Sequence, residues 1–330
     1  MDHTQQLLAH LRAEAPGAAA QAAAIGAPLC YGADTGWFSD PSACFDVMLE
    51  DLRRAEKAVW LAAPVIVPGV MWETLLSVLR QKAARGVDVR LVWDGRRSRL
   101  PQYYVNQLAR MHIHGRALYR GRPFRALLID GTLLYTGGLA FRDGQIGLRC
   151  RRGERRVGVL RLHGAAEPVC GRFLALFPDA APPACKAQAQ DYNYVSFFSD
   201  APAVLTGLIR RAEHSVLLMA PGLPPGRAAE ALSMAAASGV EVCVLLNRRP
   251  LRMLPGVRIA EDGRRITGWV CVADARTAAV AAGREGVWLH GRGADGIEAD
   301  LRAMFDSPVP RAYSGWKGRF FTWSRAFPDR

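Results

Sequence analysis

Two short arginine-rich segments are the parts of this 330-residue sequence best suited to chemistry with phosphate. One reads Asp94-Gly-Arg96-Arg97-Ser-Arg99 and the other reads Asn247-Arg248-Arg249-Pro-Leu-Arg252. The planar guanidinium group of arginine donates paired hydrogen bonds to phosphate oxygens, so such segments are typical of phosphate-binding loops. For any single arginine, a solvated face that maintains solubility is an equally good interpretation.

The pair His112-x-His114 is the second candidate for chemistry. Alternating positions on a strand would place both imidazole rings on one face, as an acid–base pair or a metal site requires. Two histidines make a weak metal site without a third ligand, so we favour a packing or surface role. The seven cysteines are scattered singly, without a Cys-x-x-Cys pair. We therefore expect free thiols in a reducing cytoplasm, no metal and no cofactor.

An internal repeat predicts the elements that would position these segments. Residues 48–64 (MLEDLRRAEKAVWLAAP) and 205–221 (LTGLIRRAEHSVLLMAP) share Arg-Arg-Ala-Glu and the closing Ala-Pro. Farther along, Gly86-Val-Asp-Val matches Gly239-Val-Glu-Val, and Leu127-Leu-Ile-Asp130 matches Cys271-Val-Ala-Asp274. Three matching blocks in the same order indicate a duplicated chain.

Each copy alternates helical and strand patterns. In the first copy, Phe45, Met48, Leu49 and Leu52 follow helical spacing, Val59–Ala63 is a buried strand, and a helix over 71–85 ends at Gly86. Helices between strands predict an α/β fold of two lobes, each with a mainly parallel or mixed sheet flanked by helices. Ligands of such sheets bind beyond the carboxyl ends of the strands, so we expect both arginine segments to flank one cleft.

The composition shifts along the chain predict five parts. These are a helical tail over 1–27 split at Pro16-Gly17, a first lobe over 28–178, a linker over 179–190, a second lobe over 191–308 and a basic aromatic tail over 309–330. In a helical tail, one face would carry the aromatic residues, with a lysine beside them: Trp316, Lys317, Phe320, Trp323 and Phe327. That face would contact a membrane interface or pack on the second lobe.

The net charge of +13 and the pI of about 9.9 predict an anionic partner, namely a lipid surface, a phosphodiester or a nucleic acid. No apolar run reaches the roughly 18 residues of a membrane-spanning helix, and the N-terminus lacks the pattern of a secretory signal. We therefore expect a cytoplasmic protein that is peripheral to the inner membrane.

The ordered blocks resemble those of the phospholipase D superfamily, and within it the bacterial cardiolipin synthases. Leu127-Leu-Ile-Asp-Gly-Thr-Leu-Leu-Tyr-Thr-Gly-Gly138 is similar to the strand-turn-strand that carries the first catalytic motif of the family, and Val157–Gly164 is similar to the segment that closes its first lobe. The resemblance implies one His-x-Lys-x-x-x-x-Asp motif in each lobe. One histidine attacks phosphorus, the other protonates the leaving alcohol, the lysines hold phosphoryl oxygens and the aspartates orient the motif.

Both motifs are altered in this chain. Their aligned positions are Pro123, Arg125 and Asp130 in the first copy and Thr267, Trp269 and Asp274 in the second. Proline and threonine therefore stand where the family has its histidines, and only arginine keeps the charge of a lysine. The asparagine that usually follows the glycine pair is also missing, since Gly137-Gly138 precedes Leu139-Ala140. The aspartates are either turn residues or vestiges of the catalytic motif.

We therefore predict a catalytically inactive cardiolipin synthase-like protein that binds anionic phospholipid or a phosphodiester at the membrane surface and regulates an active paralogue. The alternatives are a divergent active phosphatidyltransferase or phosphodiesterase, and a nucleic-acid-binding protein. The residues expected to bind the anion are Arg96, Arg97, Arg99, Arg125, Arg248 and Arg249. Other arginines precede the two motif regions, at positions 116, 120, 122, 264 and 265.

Overall fold

The strands and helices follow the patterns of the sequence. The structure is a computed structural model that describes residues 3–14, 16–25, 29–98, 100, 102–120, 124–145, 155–183, 193–248, 250 and 253–308. The strands are β1 Leu29–Phe38, β2 Ala58–Ala63, β3 Asp88–Asp94, β4 Ile113–Leu118, β5 Ala126–Ile129, β6 Leu133–Gly137, β7 Arg155–Val157, β8 Val159–His163, β9 Asn193–Phe198, β10 Ser215–Ala220, β11 Glu241–Leu246, β12 Arg258–Glu261, β13 Arg265–Thr267, β14 Trp269–Ala273, β15 Thr277–Ala281 and β16 Gly286–His290. The helices are α1 His3–Glu14, α2 Pro16–Ile25, α3 Pro41–Arg54, α4 Val70–Ala84, α5 Gln102–Arg110, α6 Glu167–Leu176, α7 Ala201–Arg211, α8 Arg227–Ala237 and α9 Gly293–Asp306.

A 14-stranded sheet runs through both lobes, and its two halves have the same strand order. The first lobe reads β4-β3-β2-β5-β6-β8-β1 from the edge inward, and the second reads β12-β11-β10-β14-β15-β16-β9. The halves join through the antiparallel pair β1–β9, with Cys30 opposite Val195. The prediction of an α/β fold with two duplicated lobes is therefore confirmed.

The sheet is mixed rather than mainly parallel. Only the outer three strands of each half, β2 to β4 and β10 to β12, run parallel to their neighbours within it. The helices α4 and α5 provide the crossovers in the first lobe, as βαβ units require. The inner strands pair antiparallel, because tight turns rather than helices connect β5 to β6 and β14 to β15.

Local signals set the ends of the matching helices. Asp40 precedes α3 and its side chain accepts a hydrogen bond from the backbone N–H of Ser42, at 2.7 Å. Asp200 does the same for Ala203 at the start of α7, and a proline follows within the first turn of both helices. Gly86 adopts φ of 85°, a conformation that favours glycine and ends α4.

The buried apolar side chains form three layers, one on the outer face of each lobe and one shared between the lobes. Helices α3, α4 and α5 cover the outer face of the first lobe, whereas α1, α2, α7 and α8 cover that of the second. The inner faces of both halves share one core with α6 and α9, which includes Trp60, Phe173, Val272 and Leu301. Because one core spans both lobes, their relative position is fixed by burial of apolar surface.

The amino-terminal segment contains the helices α1 and α2, and α2 begins at Pro16. Leu11 is fully buried against the second lobe, and the buried Gln21 donates to the carbonyl of Val204 at 3.2 Å. The predicted domain limits stay predictions, and residues 184–192 of the linker region lie outside the described residues. Among the helices that the structure describes, none combines the length and apolar character needed to cross a bilayer.

Candidate functional site

A cavity of about 510 Å³ lies where the two lobes meet. Its wall includes residues of the first lobe that precede β5, end β6 and begin α6, and residues of the second lobe that end β9 and form the turn between β15 and β16. Among the described residues of this wall, four are arginines and one is a glutamate: Arg97, Arg125, Arg172, Arg284 and Glu285. The excess of positive charge suits an anionic ligand.

Arg125 stands at the predicted lysine position and lines this cavity, immediately before β5. Its Nη1 donates to the carbonyl of Leu139 at 2.5 Å, and its own carbonyl accepts from Thr136 Oγ1 at 2.9 Å. These contacts tie both the guanidinium and the backbone of Arg125 to the end of β6. Gly137 permits the close approach there, because a Cβ at this position would stand 2.4 Å from the carbonyl oxygen of Gly158.

An ion pair joins the lobes across the cavity wall. Arg172 on α6 donates from Nη2 to both carboxylate oxygens of Glu285, at 2.9 and 3.2 Å. The Arg172 guanidinium also lies over the Phe124 ring, 4.1 Å from its centroid. Both partners are more than one-third exposed, so the pair contributes little to stability. It does place the carboxylate that lines the cavity beside one of the cations that an anionic ligand would contact.

A neighbouring part of the wall is aromatic, because Phe198 pairs with Gly286, the residue after Glu285. Phe197 and Phe198 end β9 and line the cavity. Trp269, at the lysine position of the second lobe, stacks on Phe198 with ring centroids 6.2 Å apart and packs against the outer core of that lobe. The second lobe therefore presents an indole at this predicted lysine position, and Arg284 is the arginine of that lobe within the described wall of the cavity.

Both motif aspartates lie at the far end of their strands from the cavity. Asp130 has φ of 52°, and its carboxylate accepts from the backbone N–H groups of Glu56, Lys57 and Ala58 at 2.7 to 3.2 Å. Asp274 has the same φ and accepts from the three matching N–H groups, at 2.7 to 2.9 Å. Each aspartate fixes the chain that enters β2 or β10 and lies four or five residues along its strand from the cavity end. The structure favours the turn interpretation of these residues.

The two predicted histidine positions differ in how far they can be described. Pro123 lies outside the described residues. Thr267 ends β13, which pairs in parallel with β7 of the first lobe and places Thr267 opposite Val157. The described wall of the cavity contains no histidine.

The two arginine loops differ in how much of each the structure describes. Arg97 lines the cavity, and the Asp94 carboxylate accepts the backbone N–H groups of Arg96 and Arg97 at 2.9 and 3.1 Å. Arg96 and Arg248 are exposed and are not among the described residues of the wall, and the expectation that both loops flank one cleft stays a prediction. Arg99 and Arg249 lie outside the described residues.

The prediction that His112 and His114 share one face of a strand is wrong. His112 lies in the turn before β4 with φ of 57°, and only His114 is within the strand, where it is exposed. Cys30 and Cys44 carry free thiols, and burial raises the pKa of Cys30 to about 11 and that of Cys44 to about 12. These thiols are therefore poor nucleophiles at neutral pH.

The residues predicted for membrane contact cannot be placed in the structure. All five residues proposed for membrane contact lie beyond residue 308 and outside the described residues: Trp316, Lys317, Phe320, Trp323 and Phe327. Within the part that the structure describes, no cluster of three or more metal-ligating side chains is found.

Sequence reasoning missed Arg172, Arg284 and Glu285. Arg172 and Glu285 are 113 residues apart in the chain, so no local pattern joins them. The position of Arg284, by contrast, can be compared with the first copy through the repeat. Alignment of Asp130 with Asp274 places Arg284 opposite Ala140, just after the glycine pair of the first copy.

Comparison with known proteins finds bacterial cardiolipin synthases among the relatives, at low sequence identity. The chain is 26% identical over 268 residues to an uncharacterized protein of Streptococcus mutans, with 70% of this chain and 57% of that protein covered. It is 24% identical over 242 residues to the cardiolipin synthase of Oceanobacillus iheyensis, with 64% of this chain and 50% of that protein covered. It is also 24% identical over 260 residues to the cardiolipin synthase of Listeria welshimeri, with 68% of this chain and 53% of that protein covered. The chain thus spans about half the length of these curated relatives, and no protein-family profile matches it.

Two solved structures share the overall fold. Phosphatidylserine synthase from Haemophilus influenzae superimposes with a TM-score of 0.63 at 12% identity, covering 94% of this chain and 97% of that one. Polyphosphate kinase from Porphyromonas gingivalis gives a TM-score of 0.59 at 12% identity, covering 83% of this chain and 46% of that one. At this identity the likeness concerns the fold alone.

Proposed function

This chain is a cardiolipin synthase-like member of the phospholipase D superfamily, and from that premise we propose that it binds the phosphodiester of an anionic phospholipid without turning it over. The ligand would occupy the cavity between the lobes, with the phosphate against the arginines and the glycerol and first acyl carbons against the phenylalanines. The likeness to cardiolipin synthases supports the choice of a phospholipid over other phosphodiesters.

The observation that carries the proposal is the position of Arg125. It stands at the lysine position of the first motif, lines the cavity and is tied in place by Leu139 and Thr136. A guanidinium in this place offers two parallel N–H donors to a phosphate, whereas a lysine offers a point charge. Arg97, Arg172 and Arg284 add charge on the other sides of the same cavity.

The chemistry of the motif positions supports binding without turnover. Transfer of a phosphatidyl group by this family requires one imidazole to attack phosphorus and another to protonate the leaving alcohol. Pro123 has no group that could do either, and a threonine hydroxyl such as that of Thr267 is a much weaker nucleophile and base than an imidazole. The losses affect both lobes at once, so no single replacement restores the pair.

The proposal includes the regulatory role predicted from the sequence, with an active cardiolipin synthase-like paralogue as the partner at the inner membrane surface. A protein that holds the substrate headgroup without consuming it would present lipid to such an enzyme or withhold it. What supports this role is the combination of the family fold with both altered motifs.

The test is isothermal titration calorimetry of the purified chain with short-chain, monomeric phosphatidylglycerol. We expect saturable binding that weakens as salt is raised, because screening reduces the attraction between arginine and phosphate. The variant Arg125→Gln should weaken binding about tenfold, as expected for loss of a charge-assisted pair of hydrogen bonds.

Arg80→Gln is the matched control, because Arg80 is an exposed arginine in the last part of α4, far along the helix from the cavity end. It should leave the affinity within twofold. Equal affinity of the two variants, or the absence of saturable binding by the parent chain, would contradict the proposed function.

A further inference from the structure

A group of exposed apolar side chains surrounds the carboxyl ends of the parallel strands of the first lobe. Val67, Val70, Tyr103 and Tyr119 are between 39% and 62% exposed. They are four of the seven large apolar side chains that are exposed in the described part of the chain. Apolar side chains that are exposed singly are common on protein surfaces, whereas a group of them at one edge marks a site of interaction.

The loops that carry these side chains touch one another. The backbone N–H of Gly95, after β3, donates to the carbonyl of Leu118 at the end of β4, at 2.9 Å. The ring of Tyr119 lies over Gly95, so that a Cβ there would stand 2.7 Å from it. Ser98 accepts from the backbone N–H of Ile66 at 3.1 Å, which joins this loop to the one after β2.

The first turns of α4 and α5 complete the same surface. Trp72 donates from Nε1 to the hydroxyl of Tyr104, which connects the two helix starts. Val70 begins α4 and Tyr103 lies in the first turn of α5, so both project at this edge. We call the resulting surface the carboxyl rim and define it by Val67, Val70, Arg96, Tyr103, Tyr119 and Arg120.

The charge of the carboxyl rim complements an anionic surface. Arg96 and Arg120 are exposed between the apolar side chains. The nearby carboxylates of Asp94 and Asp143 are buried and accept backbone N–H groups, at Arg96 and at Met71 respectively. Glu73 is an exposed acid at this edge among the described residues, and it accepts a hydrogen bond from the hydroxyl of Tyr104 at 3.1 Å.

The carboxyl rim also adjoins the cavity. Pro64 and Arg97 line the cavity, and they belong to the same two loops as Val67 and Arg96. A surface lying against this rim would therefore be next to the arginines that we propose to bind a headgroup.

From this arrangement we infer that the carboxyl rim docks onto an anionic lipid bilayer. The valine and tyrosine side chains enter the headgroup region, where amphipathic tyrosine rings are favoured, and the two arginines pair with anionic headgroups. The inference rests on the proposed function, because docking delivers a bilayer lipid to the cavity. The rim is formed by described residues of the first lobe and does not require the carboxyl-terminal tail.

The experiment is flotation of the full chain with phosphatidylcholine vesicles prepared with and without phosphatidylglycerol. We expect the chain to float only with the anionic vesicles. Val70→Ser with Tyr103→Ser should weaken vesicle binding about tenfold by removing apolar contact. Arg96→Gln and Arg120→Gln should each weaken vesicle binding about fivefold, because each removes the attraction between one arginine and the anionic headgroups.

Two control variants match these changes away from the rim. Met234→Ser removes an equally exposed apolar side chain in the second half of α8, and Arg80→Gln removes an exposed arginine far along α4. Both should float like the parent chain. Equal loss of flotation for rim and control variants would overturn the inference.

The titration with short-chain phosphatidylglycerol separates this inference from the proposed function. Rim variants that float normally, while Arg125→Gln loses the soluble lipid, would overturn the rim and leave the proposed function intact. Rim-dependent flotation without any binding of the soluble lipid would support the rim and contradict the proposed function. A rim variant that changes the molar mass in solution but not flotation would make the rim a protein interface and overturn the inference.

Discussion

The two lobes share a backbone frame but differ in the side chains that fill it. Asp130 and Asp274 adopt the same left-handed conformation, and each accepts hydrogen bonds from three backbone N–H groups at matching positions of its own lobe. At the cavity end of the same strands, however, Arg125 faces the cavity from one lobe, whereas Trp269 packs beside Phe198 in the other. Interactions that maintain the fold are thus present twice, whereas the side chains that would act on phosphate are not.

The interiors of the lobes differ in the same way. In the first lobe, Asp51 accepts hydrogen bonds from the Tyr135 hydroxyl and from two nitrogens of Arg161, at 2.8 and 3.1 Å for the arginine. The repeat places Leu208 and Ala279 at the positions of Asp51 and Tyr135 in the second lobe. Trp288 pairs with Ala279 as Arg161 pairs with Tyr135, and all three residues of the second lobe are buried. One frame therefore accommodates a polar network in one lobe and an apolar cluster in the other.

The largest expected effect comes from breaking that polar network. Asp51→Ala leaves the half-buried Arg161 and the buried Tyr135 without their acceptor, and should reduce the free energy of unfolding by about 3 kcal/mol. Urea denaturation followed by tryptophan fluorescence measures it. A loss below about 1 kcal/mol would show that the network contributes no more than a surface pair.

The same variant has a pH signature. Burial raises the pKa of Asp51, but the hydrogen bonds from Arg161 and Tyr135 outweigh it and lower the pKa below its ordinary value. A carboxylate with a lowered pKa in the folded state stabilises the protein above its unfolded pKa, and this stabilisation is lost as pH falls through the folded value. The difference in stability between the parent chain and Asp51→Ala should therefore be constant near neutral pH and shrink below about pH 4.

The next largest effect on stability tests whether the two motif aspartates stabilise their lobes equally. Asp130→Ala and Asp274→Ala each remove the acceptor of three backbone N–H groups and should each reduce the free energy of unfolding by about 2 kcal/mol. Asparagine tolerates the left-handed conformation and keeps one oxygen, so Asp130→Asn and Asp274→Asn should lose about half as much. Unequal losses in the two lobes would contradict the claim of a shared frame.

A smaller effect, on binding, tests the ion pair across the cavity. Glu285→Gln removes the carboxylate that competes with a ligand for Arg172 and should strengthen binding of short-chain phosphatidylglycerol about threefold. Arg172→Gln should weaken it by a similar factor, and calorimetric titration measures both. Changes of the same sign would show that the pair acts only as a structural contact between the lobes.

The smallest effect concerns the identity of the cation at the motif position. Arg125→Lys restores the family residue and keeps the charge but loses the paired donors, so binding should weaken only about twofold. If the lysine variant bound as poorly as Arg125→Gln, the geometry of the guanidinium rather than its charge would decide the affinity.

The sequence was sufficient to predict several matching elements of the two lobes and the duplicated fold. Local periodicity identified β2, α4 and β3, and Gly86 marked the end of a helix, because these signals lie within single elements. The alignment on Asp130 and Asp274 predicted Arg125 as a member of the site. Such features depend on short stretches of chain and on one repeated pattern.

Features that depend on distant pairing could not be predicted. The strand order brings β9 beside β1, and with it Phe198 and the turn that carries Glu285 come to the cavity. The contact between Arg172 and Glu285 exists only after both lobes have packed. His112 was misplaced because a left-handed turn residue before β4 leaves no mark in an alternating pattern.

The central claim is that this chain binds a phospholipid headgroup and does not turn it over. The most direct measurement is mass spectrometry of the lipids after the purified chain is incubated with phosphatidylglycerol vesicles. The account predicts phosphatidylglycerol unchanged, with no cardiolipin above a protein-free control. Cardiolipin that accumulates in proportion to protein, and that is lost in Arg125→Gln but not in Arg80→Gln, would contradict it.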